Sequence, residues 1–350
     1  MINYYSPQDM SVWSGRVDDE NDYYSYRWHQ WVKPIDLNNE ENEPFTGKLG
    51  FGILGFESDQ GIELNKGRFG ASAGPSAIRK ELAKLPCQFS EEVKIFDCGN
   101  VSSKFTTLDA SQKELGKAVE EVLKLGLFPI VLGGGHETAY GHYQGLSDYL
   151  DDKEDKKLGI INFDAHFDLR PYEKGHGTSG TMFRQIADYT KEKGTDYSYY
   201  VLGIQRHSNT LSLFETAEDL GAKYVLAKDI INGDFFNIVH QLDRYIAKQD
   251  HLYITICMDC FTSSFAPGVS APQPLGLDPE KVLLFLKHIF TSNKPLSFDI
   301  CEVSPRFDHD SVTANLASIL VYTVVTASAQ FVLGEENEKF IHTSRPSRID

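Results

Sequence analysis

The chain has 350 residues, 41% of them apolar, with 34 basic and 50 acidic side chains and a formal charge of −16. That length fits one large α/β domain or two average ones, with material for a sizeable core, and the acidic balance repels nucleic acid and anionic membranes. No apolar run is long enough to mark a membrane span, and MINYYSPQDMSVWSG lacks the basic start and apolar run of a signal peptide, so a cytoplasmic protein with no nucleic-acid or membrane partner is expected.

In chain order, residues 1–47 are polar and aromatic with acidic runs and read as an N-terminal extension packed on the surface. A single domain is expected over 48–350. It begins at KLGFGILGF, 48–56, an apolar run fit for a buried strand. Pro75 opens a helix carrying Ile78, Leu82 and Leu85 at helical spacing. KIFDCG reads as a strand and 110–126 as a helix ending at Gly126. FPIVLGGG and LGIINFDAH are strands, separated by a solvated acidic connection at 151–157. Residues 180–193 look helical, SYYVLGIQ and AKYVLAK are strands, and 236–248 look helical. HLYITICMD is a strand, DPEKVLLFLKHIF a helix capped by Asp278, PLSFDICEV a strand, and 312–333 a final long helix. Strands separated by helices predict a mainly parallel sheet covered on both faces. The five cysteines, Cys87, Cys98, Cys257, Cys260 and Cys301, are odd in number and scattered, which argues against a disulfide framework.

Four of these apolar strands end in polar residues of ligand type, and ligands of open parallel sheets bind at that edge. His136 follows three glycines that allow a tight turn and close backbone approach. Asp164, His166 and Asp168 stand at i, i+2 and i+4, which on an extended chain puts two carboxylates and an imidazole on one side. Burying such groups unpaired is expensive, and a metal ion resolves the cost. Cys257 and Asp259 alternate in the same way, and Asp299 and Glu302 lie near the end of the last strand. Together these segments offer too many ligands for one catalytic zinc with an open position; an oxygen-rich set leans towards manganese, and two ions sharing carboxylates fit better. Such a pair lowers the pKa of a bridging water and places hydroxide for attack, so the expected chemistry is hydrolysis at a polarised carbon.

Taken in order, these motifs resemble the ureohydrolase family of arginase, agmatinase and formimidoylglutamase. GGGHE, NFDAHFD and the later strand-end Asp segment look like its three metal motifs, and the similarity runs from about residue 48 to 330. NKGRFGASAGPSAIR, GGGHETAYGHYQG, NFDAHFDLRP, FAPGVSAPQPLGL, the SGT at 179–181 and LGIQRHSNT at 202–210 look most like the formimidoylglutamase branch. The resemblance implies an arginase-like three-layer α/β/α fold with a mainly parallel sheet of about eight strands. It also implies two Mn²⁺ ions, a trimer or hexamer, and hydrolysis of N-formimidoyl-L-glutamate to L-glutamate and formamide, a step of histidine degradation. It carries metal ligation to His136, Asp164, His166, Asp168 and Asp259, and contact with the nitrogen-bearing end of the substrate to Glu302.

One position departs from that pattern. The family has Asp-x-Asp at its third motif, and here Cys257 stands where a metal-bridging Asp is expected. A thiolate is softer and less suited to manganese, so three outcomes are open: a thiolate-ligated pair, one weakened metal, or a site that no longer works. In the expected reaction a metal-bound hydroxide attacks the formimidoyl carbon, ionised Glu302 holds the cationic imino group, and Asp168 or another metal-bound carboxylate relays a proton to the leaving nitrogen. Arg170 and Arg206 are candidates for the substrate carboxylates, with surface salt bridges as the other reading. His176 either lines the pocket or is an exposed loop residue, His142 packs on the helix after the GGGH turn, and His207 carries no assignment. The competing readings are another ureohydrolase acting on a guanidine or amidine, and a metal-depleted family member with a binding role.

Overall fold

The computed structural model describes residues 1–334, so the expected domain end at 350 lies outside the described residues. Ten strands form one sheet: β1 (Tyr5–Ser6), β2 (Lys33–Pro34), β3 (Leu49–Glu57), β4 (Val93–Ser102), β5 (Phe128–Leu132), β6 (Leu158–Phe163), β7 (Tyr199–Ile204), β8 (Lys223–Leu226), β9 (His251–Cys257) and β10 (Pro295–Cys301). The helices are α1 (Trp28–Trp31), α2 (Gln60–Leu64), α3 (Gly74–Leu82), α4 (Leu108–Lys124), α5 (Thr138–Leu150), α6 (Met182–Lys193), α7 (Leu211–Asp219), α8 (Ala227–Asn232), α9 (Phe235–Ile246), α10 (Pro279–Phe290) and α11 (Val312–Leu333).

The local chemistry explains the boundaries. The Thr107 hydroxyl accepts from Ala110 N, which starts α4 two residues before the predicted helix, and Gly126 (φ 72°) turns the chain out behind it. Asp278 caps α10 by accepting from Glu280 N at 2.8 Å, with Pro279 at the first turn. AKYVLAK splits: only Lys223–Leu226 pairs as β8, and the chain turns directly into α8.

Eight parallel strands run in the order β4-β3-β5-β10-β9-β6-β7-β8. Their side chains alternate between two cores, the layering expected of a doubly covered parallel sheet. Ile130, Leu132, Ile161, Phe163, Ile254 and Ile256 join one core with α3, α10 and α11. Val131, Ile160 and Tyr253 join the other with α4, α5 and α6. α11 is long and apolar enough to cross a membrane by length and composition, but it packs as a core helix against α3 and α10.

The first 47 residues do more than pack on the surface. β2 pairs with β4 at Phe96–Asp97 and β1 pairs antiparallel with β4 at Asn100–Val101, so both finish the outer edge of the sheet. Trp13 and Trp28 are buried in the adjoining core. The polar composition concealed this because the edge strands are only two residues long.

Candidate metal centre

β5, β10, β9 and β6 are consecutive in the sheet. Their pairing sets Leu132, Ile300, Ile256 and Phe163 level with one another. The chain just beyond this row carries His136, Glu302, Cys257 with Asp259, and Asp164 to Asp168. Four sequence-distant segments therefore meet because of strand order, at the carboxyl edge where a parallel sheet binds its ligands.

The loop after β5 approaches its neighbours closely. A side chain at Gly134 would place its Cβ 1.7 Å from the Ser58 carbonyl, so only glycine fits. Glu302 N donates to Gly134 O at 2.8 Å, and His136 N donates to Glu302 Oε1 at 2.9 Å. These two bonds lock the β5 loop to the end of β10. Glu302 and Asp168 both adopt left-handed backbone (φ 71° and 51°), a conformation costly for residues with a Cβ and characteristic of functional sites.

The predicted triplet converges by a different route from the one expected. β6 ends at Phe163, so Asp164, His166 and Asp168 lie in a turn, where Asp164 Oδ1 accepts from His166 N at 2.8 Å. Cys257 is the last residue of β9 and Asp259 sits in the short helical turn beyond it. Asp164 is the hub. Its Oδ2 is 3.0 Å from His136 Nδ1 and its Oδ1 is 3.5 Å from His166 Nδ1. Asp168 Oδ2 is 3.3 Å from His136 Nδ1, and Asp259 Oδ2 is 3.2 Å from His166 Nδ1. Of three groups of ligand atoms within 4.8 Å of one another, His136, Asp164 and Cys257 form one and Asp164, His166 and Asp259 another, both at the cavity; the third, His136, Asp299 and Cys301, includes Asp299, which does not line it.

This geometry fits metal better than hydrogen bonding. His136 Nδ1 is close to two carboxylates yet lacks the alignment of a hydrogen bond, and buried Asp259 Oδ1 also has no partner. The other ring nitrogen of His136 is engaged, with Nε2 2.9 Å from Thr255 Oγ1. Such an outer-shell bond fixes which nitrogen of a histidine faces a metal.

Electrostatics give the same picture. Burial raises the Asp168 carboxyl to about 6, with Asp164 adding to the shift. Burial, then Asp259 and Glu137, push Glu302 well up. Burial would raise Asp164, but His136 and His166 hold it below the usual carboxylate range. Burial would lower both imidazoles, but the surrounding carboxylates hold them well above their ordinary values. Burial, then Asp164, Asp259 and Glu302, push the Cys257 thiol well up. Crowded carboxylates with too little positive charge are the complement of a bound cation. His136, Asp164, Asp168 and Cys257 can hold one ion, and Asp164, His166 and Asp259 a second.

Except for Asp164, which lies beneath the surface, these groups line a cavity of about 290 Å³. His136, Cys257, Asp259 and Glu302 are buried in its floor, while Asn65, Lys66, Arg68 and Arg170 are exposed around its mouth. Arg206 requires a correction: it is exposed, outside the lining, and its guanidinium stands 5.7 Å over the Phe214 ring, which holds it on α7. His176 and His207 are exposed and also outside the lining. Buried His142 on α5 donates from Nδ1 to Asp299 Oδ2 at 2.7 Å, and Tyr253 donates to the same oxygen. Asp299 thus belongs to a structural network behind the site. Lys66 and Arg68 were missed by sequence reasoning; the cations in NKGRFG were the available signal, masked by its glycines.

Residues 49–326 match the model of the Arginase family. The chain is 54% identical over 327 residues to the formimidoylglutamase of Clostridium tetani, covering 93% of this chain and 97% of that protein. It is 43% identical over 331 residues to a formimidoylglutamase of Streptococcus pyogenes, covering 94% and 99%. Its fold superposes with a TM-score of 0.71 on Trypanosoma cruzi formiminoglutamase with Mn²⁺, at 24% identity over 80% of this chain and 94% of that one.

Proposed function

The chain belongs to the arginase family, and from that membership we propose that it is a metal-dependent hydrolase converting N-formimidoyl-L-glutamate and water to L-glutamate and formamide. The observation that carries the reading is Asp164 shared between two ligand groups, whose other members His136, Cys257, His166 and Asp259 line a cavity that also holds Glu302 and is ringed by cations. Glycines at 133–135 and the clamp between Glu302 and His136 prepare this floor before any substrate arrives.

We assign manganese as the metal, two ions per chain, held by His136, Asp164, Asp168, Cys257, His166 and Asp259. The oxygen-rich donor set supports manganese, and so does its presence in the T. cruzi structure. When bound, such a pair supplies a nucleophile from water at neutral pH and charge that stabilises the transition state. The protein's own groups do the rest. Glu302 Oε1 is tied to His136 N, and Oε2 has no partner among the described residues, leaving it to accept from the amidine nitrogen. A cationic amidine there offsets the burial of the carboxylate. The bond that breaks joins the formimidoyl carbon to the glutamate nitrogen; the carbon gains oxygen and the nitrogen gains a proton. Asp168, beside His136 in the cavity lining, is the group assigned to deliver that proton. Arg170 binds a substrate carboxylate at the mouth, where a planar guanidinium matches it in bidentate fashion.

We place the enzyme in the cytoplasm, in histidine degradation, assembled as a trimer or hexamer, with no nucleic-acid or membrane partner. The deciding experiment is release of glutamate and formamide from N-formimidoyl-L-glutamate by the Mn²⁺-loaded protein. Turnover is expected; no turnover with metal demonstrably bound overturns the substrate assignment.

A further inference from the structure

The two sides of the cavity mouth are built differently. On one side Arg170 N donates to Gly180 O at 3.0 Å, Ser179 N donates to Gly61 O at 3.0 Å, and Asn65 Nδ2 lies 3.4 Å from Ser179 Oγ. Arg170 is two residues beyond Asp168, so this wall is continuous with the metal centre. On the other side stands Arg68, in the turn between α2 and α3. Its Nε donates to Ser270 O at 2.9 Å, its Nη2 to Val269 O at 2.6 Å, and its backbone N to Ser270 Oγ at 2.8 Å. The ring of Phe307 lies 4.2 Å beneath the guanidinium.

These contacts fix the plane of the Arg68 guanidinium and orient its fork. They occupy one edge and leave the Nη1 amino group without a partner among the described residues. No acidic side chain among the described residues pairs with Arg68, although the chain carries 50 acidic residues. A surface arginine whose only role is to tie down a loop gains nothing from keeping a free edge at a cavity mouth. Lys66 adds a second cation in the same turn, held there in left-handed backbone (φ 61°). Pre-organised donors lose less entropy on binding than a free side chain does.

We propose that Arg68, assisted by Lys66, binds the side-chain carboxylate of the substrate, the one far from the amidine, and so makes the cavity selective for a dianionic amidine. This deepens the proposed function and rests on it. Arg170, next in chain to the metal centre, takes the carboxylate near the reacting nitrogen, while Arg68 lies on the wall that no metal ligand's own turn supplies. The same pair of cations repels substrates whose far end is positive, such as arginine or agmatine. With a net charge of −16 the protein has no general attraction for anions, so selection depends on this local cluster.

The test compares N-formimidoyl-L-glutamate with its side-chain amide, N-formimidoyl-L-glutamine, on the Mn²⁺-loaded enzyme. The wild type should prefer the glutamate compound in kcat/KM by on the order of tenfold to a hundredfold, the scale of one hydrogen-bonded charge. Arg68→Met should erase that preference through KM while kcat on the glutamate compound stays within a few fold. Arg170→Met should weaken both substrates and keep the preference. Arg68→Lys, which retains the charge but not the fork, should restore part of it. If Arg68 only pinned the loop, Arg68→Met would slow both substrates alike, and an unchanged preference overturns the inference. Should Arg68→Met fail to fold, Lys66→Met decides: it should cut the preference severalfold, and an unchanged ratio again overturns the inference. A wild type that does not turn over formimidoylglutamate defeats the proposed function itself, which is a different result.

Discussion

Two of the buried charge clusters among the described residues are finished in opposite ways. Under the outer edge of the sheet, Arg79 Nε and Nη2 meet the two oxygens of Asp97 at 2.7 and 3.0 Å. Nη1 reaches Asn100 Oδ1 at 2.8 Å, Nη2 also meets Gly99 O at 3.0 Å, and Trp13 Nε1 adds a 2.7 Å bond to Asp97. Charges cancel and donors find acceptors. At the carboxyl edge of β5, β10, β9 and β6, by contrast, four carboxyls and a thiol surround two imidazoles, and His136 Nδ1 and Asp259 Oδ1 are unpaired. A buried cluster complete within the chain contributes to the fold; one that is short of positive charge is completed by something else.

The sharpest way to break this comparison is to remove Asp164, the carboxylate common to both proposed ligand groups. Asp164→Asn should lose bound metal and cut turnover by on the order of a thousandfold or more, since several kcal/mol of transition-state stabilisation go with the ions. Chelation of the wild type should do the same while circular dichroism shows the fold retained, because neither hydrophobic core includes a side chain of the centre. A chain that unfolds on chelation would mean that the site, like the Arg79 cluster, is structural.

The converse test is Arg79→Met. Leaving Asp97 buried without its partner should cost about 3–5 kcal/mol in denaturant unfolding, with metal content per chain unchanged. Loss of metal in a folded variant would couple the two clusters and undo the distinction.

This contrast bears on what was legible from sequence. The strands were, because β5, β6 and β9 are continuous apolar runs bounded by polar or glycine-rich turns. The meeting of Asp164, His166 and Asp168 at one strand end was legible too, though the alternation argument pictured an extended chain where the structure has a turn. Asp299 shows the limit: three residues before Glu302 and likewise a carboxyl, it packs behind the sheet edge on His142 and Tyr253. Asp299 lies inside β10 and Glu302 just past its end in left-handed backbone, and that turn rather than the residue type decides which carboxylate faces the cavity. Arg68 marks the other limit, since its place depends on Val269 and Ser270, 201 and 202 residues further along the chain. Arg206 was over-read because an arginine near a strand end looks the same in sequence whether it faces a cavity or an aromatic ring.

A subtler break falls on Cys257, the one sulfur in the proposed ligand set. Cys257→Ser keeps the size of the side chain but removes the thiolate, and bound metal should fall from about two ions per chain towards one. Cobalt-loaded wild type should show the near-ultraviolet sulfur-to-metal absorption of a thiolate ligand, and the Ser variant should lack it. Cys257→Asp should bind Mn²⁺ at least as well as the wild type, since a hard oxygen replaces sulfur. Absence of the thiolate band in the cobalt-loaded wild type removes Cys257 from the ligand set.

The smallest effect expected is also the most selective, because it changes no ligand. For His136 to present the Nδ1 lone pair to an ion, its proton must sit on Nε2 and go to Thr255 Oγ1, 2.9 Å away. Thr255 in turn bonds Asp299, whose carboxylate is held below its usual range, after the opposing effect of burial, by His142 and by this hydroxyl. A chain of hydrogen bonds thus runs from the satisfied network behind the sheet to the unsatisfied ring in front of it. Thr255→Val preserves shape and deletes the link. Metal affinity should fall by roughly tenfold to a hundredfold, the usual weight of an outer-shell partner, while turnover at saturating Mn²⁺ stays near the wild-type value. A loss of turnover that excess metal does not restore would mean that Thr255 acts on the reaction rather than on the imidazole.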